Sequence, residues 1–120
     1  SVLGRIAVSE RSSYSASKSA VNAFFDTIRV EYRKENIQVL LALSGGVKTD
    51  IDLNAMDGNG KRIGALPDDY DVAMAPEKFA KCLMKAMRRG RKEVVIGNMQ
   101  ERVGVMLRKY LPTVYHRVAP

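Results

Sequence analysis

One cysteine, one histidine and four prolines in 120 residues leave little material for several kinds of protein. Cys82 cannot close an internal disulfide and has no thiol or histidine partners at metal-ligand spacing, so no metal site is expected. It is read as a structural thiol in a reducing compartment. His116, beside Tyr115 and Arg117, has no carboxylate partner near it in sequence, so it is read as a surface residue and not as a catalytic base. No apolar run approaches twenty residues, and no basic segment leads into an apolar one. Nothing in these residues is therefore expected to span a membrane or direct export. The first residue is Ser1, not methionine, from which an upstream piece is expected to be missing.

What is present is an ordinary globular composition, 46% apolar, sufficient for one small domain. The net charge of +7 is uneven. Residues 1–60 hold 7 basic and 7 acidic side chains, and residues 61–120 hold 13 basic and 6 acidic, so the second half carries the whole excess. Attraction to anionic lipid, nucleic acid or a phosphorylated ligand would need such a patch. Without interleaved aromatics or a nucleic-acid motif it reads as a solvated basic face, with no nucleic-acid partner expected.

Residues 1–11 read as a strand end and a loop. From Ser13 to about Lys34, Ala16, Ala20, Val21, Phe24, Phe25, Ile28 and Tyr32 recur at three- and four-residue steps, which predicts a long helix with one broad buried face, capped by Ser12 or Ser13. Asn36 ends that region, and Ile37 to Leu43 suit a strand buried on both faces of a parallel sheet. Ser44, Gly45 and Gly46 then form a loop at the strand's carboxyl end, where open α/β sheets bind ligands. Residues 54–75, with their glycines and the acids Asp68, Asp69 and Asp71, predict a long loop or lid, with a short helix near Asp50 to Met56. The Asp57-Gly58-Asn59-Gly60 stretch lacks the Lys-Ser/Thr of a phosphate loop and reads as a turn. A helix from Pro76 to Arg89 stopped by Gly90, a buried strand at Val94 to Ile96 and an amphipathic helix up to Pro112 complete the pass. Helix followed by buried strand, twice, indicates the α/β class.

Tyr14 and Lys18 are four apart at the start of the long helix, on one face about a turn from each other. An ammonium beside a phenol favours the phenolate, so such a pair suits proton exchange with an alcohol or ketone. Taken alone, an ordinary surface pair has the same spacing.

The run Ser12-Ser13-Tyr14-Ser15-Ala16-Ser17-Lys18-Ser19-Ala20 resembles the active-site helix of the short-chain dehydrogenase/reductase family almost residue for residue. In that family a serine lies thirteen positions before the tyrosine, followed by two residues and a glycine. Ser1-Val2-Leu3-Gly4 has the same form and position. Ser44-Gly45-Gly46-Val47-Lys48-Thr49 is similar to the family's Ser-Pro-Gly, aliphatic, variable, Thr segment, with Gly45 in place of proline. The resemblance covers essentially the whole chain and is greatest to the family's member-seven group.

The resemblance implies the C-terminal part of a Rossmann-like, doubly wound parallel sheet, with residues 1–120 one partial domain that lacks the N-terminal cofactor-binding βαβ units. It implies an NAD(P)-dependent oxidoreductase, NADP(H) being the expected form, acting on a hydrophobic alcohol or carbonyl compound such as a steroid, retinoid or lipid. Tyr14 would be the general acid or base, Lys18 would hold the nicotinamide ribose and Ser1 the substrate oxygen. Gly46, Val47 and Thr49 would approach the nicotinamide. It also implies homodimerisation through the Tyr14 helix and an intracellular location. Association with the endoplasmic reticulum membrane would come through a missing N-terminal anchor or the basic C-terminal helix. The family's glycine-rich turn is absent, so this polypeptide alone is expected to bind NAD(P) poorly and expose apolar surface. Gly45 is expected to loosen its loop. The competing reading is a non-catalytic interaction or membrane-surface module, with Arg102, Arg108, Lys109 and Arg117 beside Val103, Met106, Leu107 and Tyr110.

Overall fold

A computed structural model describes residues 1–67 and 70–118. Asp68 and Asp69, two of the acids in the expected lid, lie outside the described residues. The chain opens with a 3₁₀ turn, Val2–Gly4, and continues into α1, Ser12–Glu31. A second 3₁₀ turn, Arg33–Glu35, ends at Asn36, whose φ of 55° is a left-handed conformation that asparagine tolerates. Strand β1, Leu41–Ser44, is followed by a long irregular segment containing a 3₁₀ turn at Tyr70–Val72. Then come α2, Pro76–Arg88, and β2, Glu93–Ile96, and finally α3, Met99–Tyr110, and α4, Pro112–Val118.

The two strands pair in parallel, Leu41 opposite Glu93 and Ser44 opposite Ile96. Parallel neighbours need a crossover, and α2 supplies it. Pro76 suits the first turn of α2 because its missing N–H has no intrahelical partner there, and Gly90 just past the end takes φ +61°. The α/β class and the parallel pairing are as the sequence predicts.

The core is small: Val2, Leu43 and Val105 are buried together, with Ile6 and Val95 packed against them. Leu43, from β1, is fully buried between the opening turn and α3. A half-exposed cluster of charged groups adds to the join. Arg5 pairs with Glu93 at 2.8 Å and with Asp26 at 3.5 Å, and Arg29 bonds Asp26 and donates to the Lys92 carbonyl at 2.9 Å. These groups are partly solvated, so they fix orientation more than they stabilise. At the far end, the buried Tyr115 of α4 accepts through its hydroxyl oxygen from Ala7 N–H at 2.7 Å, with the Arg108 guanidinium over its ring.

Several expectations are corrected. Residues 2–4 form a 3₁₀ turn and not a strand end, because Gly4 N–H donates to the Ser1 carbonyl and Arg5 N–H to the Val2 carbonyl, closing the backbone on itself. The N-cap of α1 is Arg11, with no side-chain cap, so neither Ser12 nor Ser13 plays that part. The broad apolar face of α1 is not buried. Phe24 is 60% and Val21 46% exposed, and Asn22 is the helix's buried residue, because the opening turn covers only one narrow strip. Strand β1 starts at Leu41, leaving Ile37 exposed. Residues 50–56 make two turn bonds, Asn54 N–H to the Asp50 carbonyl and Ala55 N–H to the Asp52 carbonyl, without becoming a helix. Cys82 is exposed, not a core thiol. The turn reading of residues 57–60 holds: Asp57 Oδ1 accepts from the Asn59 and Lys61 amides, and Met56 bridges Arg62. The short helix α4 was not anticipated.

Because Leu43 joins the strand pair, the opening turn and α3, Leu43→Ala is expected to destabilise the protein by about 2–5 kcal/mol. Urea denaturation followed by circular dichroism measures it, and a change below about 1 kcal/mol contradicts this placement of the core.

Candidate active site

Tyr14 and Lys18 stand on the first turns of α1, where no glycine or proline interrupts and the small residues Ser15, Ala16, Ser17 and Ser19 crowd nothing. Both are half-buried. The Lys18 Nζ lies 5.2 Å from the centre of the Tyr14 ring, so the ammonium faces the ring's negative π surface. Among the described residues no carboxylate lies within ion-pair distance of Lys18, which leaves its three donors available.

Ser1 enters this neighbourhood through the opening turn. Its hydroxyl oxygen accepts from Leu3 N–H at 3.2 Å and so caps the 3₁₀ turn, while its own O–H remains free to donate. The terminal amine is held below its usual pKa, chiefly by burial and then by the charge of Lys18.

What holds the turn to the helix is Gly4. Its carbonyl accepts from Ser19 Oγ and from Asn22 Nδ2, each at 3.2 Å. A side chain at position 4 has no room, since a Cβ there would lie 2.5 Å from Asn22 Nδ2 and 3.0 Å from the Lys18 carbonyl oxygen. Asn22, 6% exposed, was not singled out by sequence reasoning. Its only signal was a polar residue flanked by the apolar positions of a helix.

Gly46, Val47 and Thr49 lie at the carboxyl end of β1, a separate element from the Tyr14 helix, and no hydrogen bond joins them to Ser1, Tyr14 or Lys18 among the described residues. Gly46 and Thr49 are exposed, and Val47 is half-buried. The expectation that Gly45 loosens this loop is corrected. Gly45 N–H donates to the Ile96 carbonyl at 2.9 Å, Gly46 N–H to Glu101 Oε1 at 2.9 Å and Lys48 N–H to the Met74 carbonyl at 2.9 Å. Val47 pairs with Met74 as a parallel bridge, so the loop is tied at almost every residue. Glu101 was missed, although Asn98 and Glu101 show the three-residue spacing of a capping box.

A cavity of about 930 Å³ is on a different face of α1. Ser12, Ser15, Ser19 and Ala23 line it together with Ile6 and the exposed His116, and it includes none of Ser1, Tyr14 and Lys18. A smaller cavity of about 290 Å³ borders Gly46, Met74, Gly97 and Glu101 at the strand ends. The residues are a partial fit to a nicotinamide nucleotide. Lys18 has unpaired donors for a ribose, but no glycine-rich turn before a helix is present to receive a pyrophosphate.

Comparison with known proteins gives one family model and a consistent set of relatives. The model described as short chain dehydrogenase matches residues 1–59. The chain is 36% identical over 115 residues to dehydrogenase/reductase SDR family member 7B of Xenopus tropicalis, covering 96% of this chain and 37% of that protein. It is 37% identical over 115 residues to dehydrogenase/reductase SDR family protein 7-like of Anopheles gambiae, covering 96% and 36%. The corresponding Drosophila melanogaster protein is 32% identical over 115 residues, covering 96% and 35%. The chain thus spans a little over a third of the length of these relatives. No solved structure matches it.

If the Gly4 carbonyl is the joint between the opening turn and α1, then Gly4→Ala, which crowds the helix backbone, is expected to cost about 1–3 kcal/mol. Asn22→Ala, which strips a donor from a buried carbonyl, is expected to cost a similar about 1–3 kcal/mol. Urea midpoints of the two variants test this, and two unchanged midpoints would remove the joint.

Proposed function

The chain belongs to the short-chain dehydrogenase/reductase family, and from that premise we propose that it carries the proton-transfer residues of an NAD(P)-dependent oxidoreductase interconverting an alcohol and a ketone or aldehyde. The observation that supports this most is the Lys18 ammonium 5.2 Å from the Tyr14 ring, on the helix to which the Ser1 turn is bonded. In reduction the Tyr14 hydroxyl gives its proton to the carbonyl oxygen, and in oxidation its phenolate takes the proton from the alcohol. Lys18, whose ammonium faces the Tyr14 ring, would donate to the nicotinamide ribose. The Ser1 hydroxyl donates to the substrate oxygen as negative charge develops there. Gly46, Val47 and Thr49 lie at the nicotinamide end. The nicotinamide, when bound, supplies or accepts the hydride.

NADP(H) is the proposed cofactor form, and a hydrophobic compound of steroid, retinoid or lipid type the proposed substrate. Homodimerisation is proposed through the exposed apolar face of α1, where Val21, Phe24 and Phe25 lie open. Tyr14→Phe in the complete protein is expected to lower kcat by about 10²–10⁴-fold with cofactor affinity unchanged. Steady-state kinetics with fluorescence titration of NADPH checks this, and unchanged turnover removes Tyr14 from the mechanism.

A second reading has its own observation. On α3, Val103, Met106 and Tyr110 are exposed beside Arg102 and Lys109, an apolar strip with basic flanks. No helix among the described residues is long and apolar enough to cross a membrane. Such a strip suits the surface of an anionic bilayer, with the endoplasmic reticulum as the proposed location. Sedimentation with phosphatidylserine vesicles is expected to carry the protein down, with release in high salt. Equal recovery with neutral vesicles would discard an electrostatic association.

A further inference from the structure

The Glu101 carboxylate lies between the loops that follow the two strands. Its Oε2 accepts from Asn98 N–H at 2.6 Å, and Asn98 Oδ1 accepts from Glu101 N–H at 2.9 Å. These two bonds are a capping box, which serves the start of α3 and nothing else. The other carboxylate oxygen does something a capping box does not require. Oε1 accepts from Gly46 N–H at 2.9 Å, a residue 55 positions earlier in the chain, at the end of β1.

The glycines around it give an independent indication. Gly45 and Gly97 both lack positive φ, so backbone conformation does not demand glycine at either place. Both lie directly against Glu101: a Cβ built on Gly45 would fall on its carboxylate carbon and both oxygens, and one on Gly97 on Oε2, so a side chain at either place would displace the carboxylate. Two side chains are therefore absent, one on each strand end, around a single carboxylate. With Met74 N–H donating to the Gly46 carbonyl at 2.9 Å, residue 46 is held at both its amide and its carbonyl.

We propose that Glu101 is a positioning residue. It clamps the Gly45–Gly46 loop to the start of α3 and so sets the backbone on which Val47 and Thr49 meet the nicotinamide end of the cofactor. The positioning role rests on the oxidoreductase reading above, but the clamp does not. Charge-assisted bonds of this kind are stronger than neutral ones, and both strand-end amides lean on the same anion.

The test combines amide hydrogen exchange with steady-state kinetics on the complete protein. Glu101→Ala is expected to speed exchange at Gly46 and Asn98 by about ten- to a hundredfold. It is also expected to raise KM for the nicotinamide cofactor about tenfold while changing kcat less, the split that a loss of positioning produces. Glu101→Gln keeps the shape without the charge, and is expected to give a smaller rise in the same two amides. It also serves if the alanine variant fails to fold. Gly45→Ala, which displaces the carboxylate, is expected to reproduce the effect, and Gly45→Ala with Glu101→Ala is expected to be no worse than Glu101→Ala alone.

Unchanged Gly46 exchange in the Glu101 variants, or full additivity of the two alanine changes, overturns the clamp. Freed Gly46 exchange with an unchanged cofactor KM overturns the positioning role. The oxidoreductase reading fails separately, through Tyr14→Phe turnover, since the exchange measurement needs no catalysis.

Discussion

Everything the proposed chemistry needs depends on one carbonyl group. The Gly4 oxygen receives both Ser19 and Asn22 from α1, and those two bonds place the turn carrying Ser1 against the helix carrying Tyr14 and Lys18. The contact is close enough that the helix backbone itself, at Lys18, lies where a Cβ of residue 4 would reach. A bond to a backbone carbonyl constrains position more tightly than an apolar contact, because both distance and direction matter. Burial of Asn22 then makes the bond costly to break, since its amide would be left without water or partner.

The second constraint is at the strand ends. A two-strand parallel pair offers few ladder bonds, so its loops would be free to wander without further ties. Ile96, Met74 and Glu101 supply those ties to Gly45, Gly46 and Lys48. The candidate site thus lies in two pieces, a helix with its docked turn and a loop held by hydrogen bonds. The small core of Val2, Leu43 and Val105 connects them: Val2 belongs to the docked turn, Leu43 to the strand that ends in the clamped loop, and Val105 to the helix that bears Glu101. The apolar face of α1 is the opposite case. Its phenylalanines are open because the turn covers only a narrow strip of the helix.

Much of this was readable in advance where the signal is local. Pro76 and Gly90 bracket α2 through the missing amide of one and the left-handed φ of the other, both properties of single residues. The Tyr14 and Lys18 spacing places them on one face by helical geometry alone. Errors arose where partners decide. The residues at 2–4 look extended until one knows that they bond to themselves. The periodicity of α1 announces an apolar face without saying whether anything covers it. The spacing of Asn98 and Glu101 marks a capping box but not the bond to Gly46, 55 positions away, and the bond of Asn22 to Gly4 spans 18 positions.

The amino-acid sequence by itself thus determined the α/β class, the helix boundaries set by proline and glycine, and the tyrosine–lysine pair, all of which follow from interactions within a few residues. Only the tertiary structure decided which side chains hold the Ser1 turn and the Gly45–Gly46 loop, that Gly4 lies against the helix backbone at Lys18, and that Gly45 and Gly97 both lie against the Glu101 carboxylate. The reason is that hydrogen bonds and steric exclusion act over a few ångströms in space, whatever the separation along the chain.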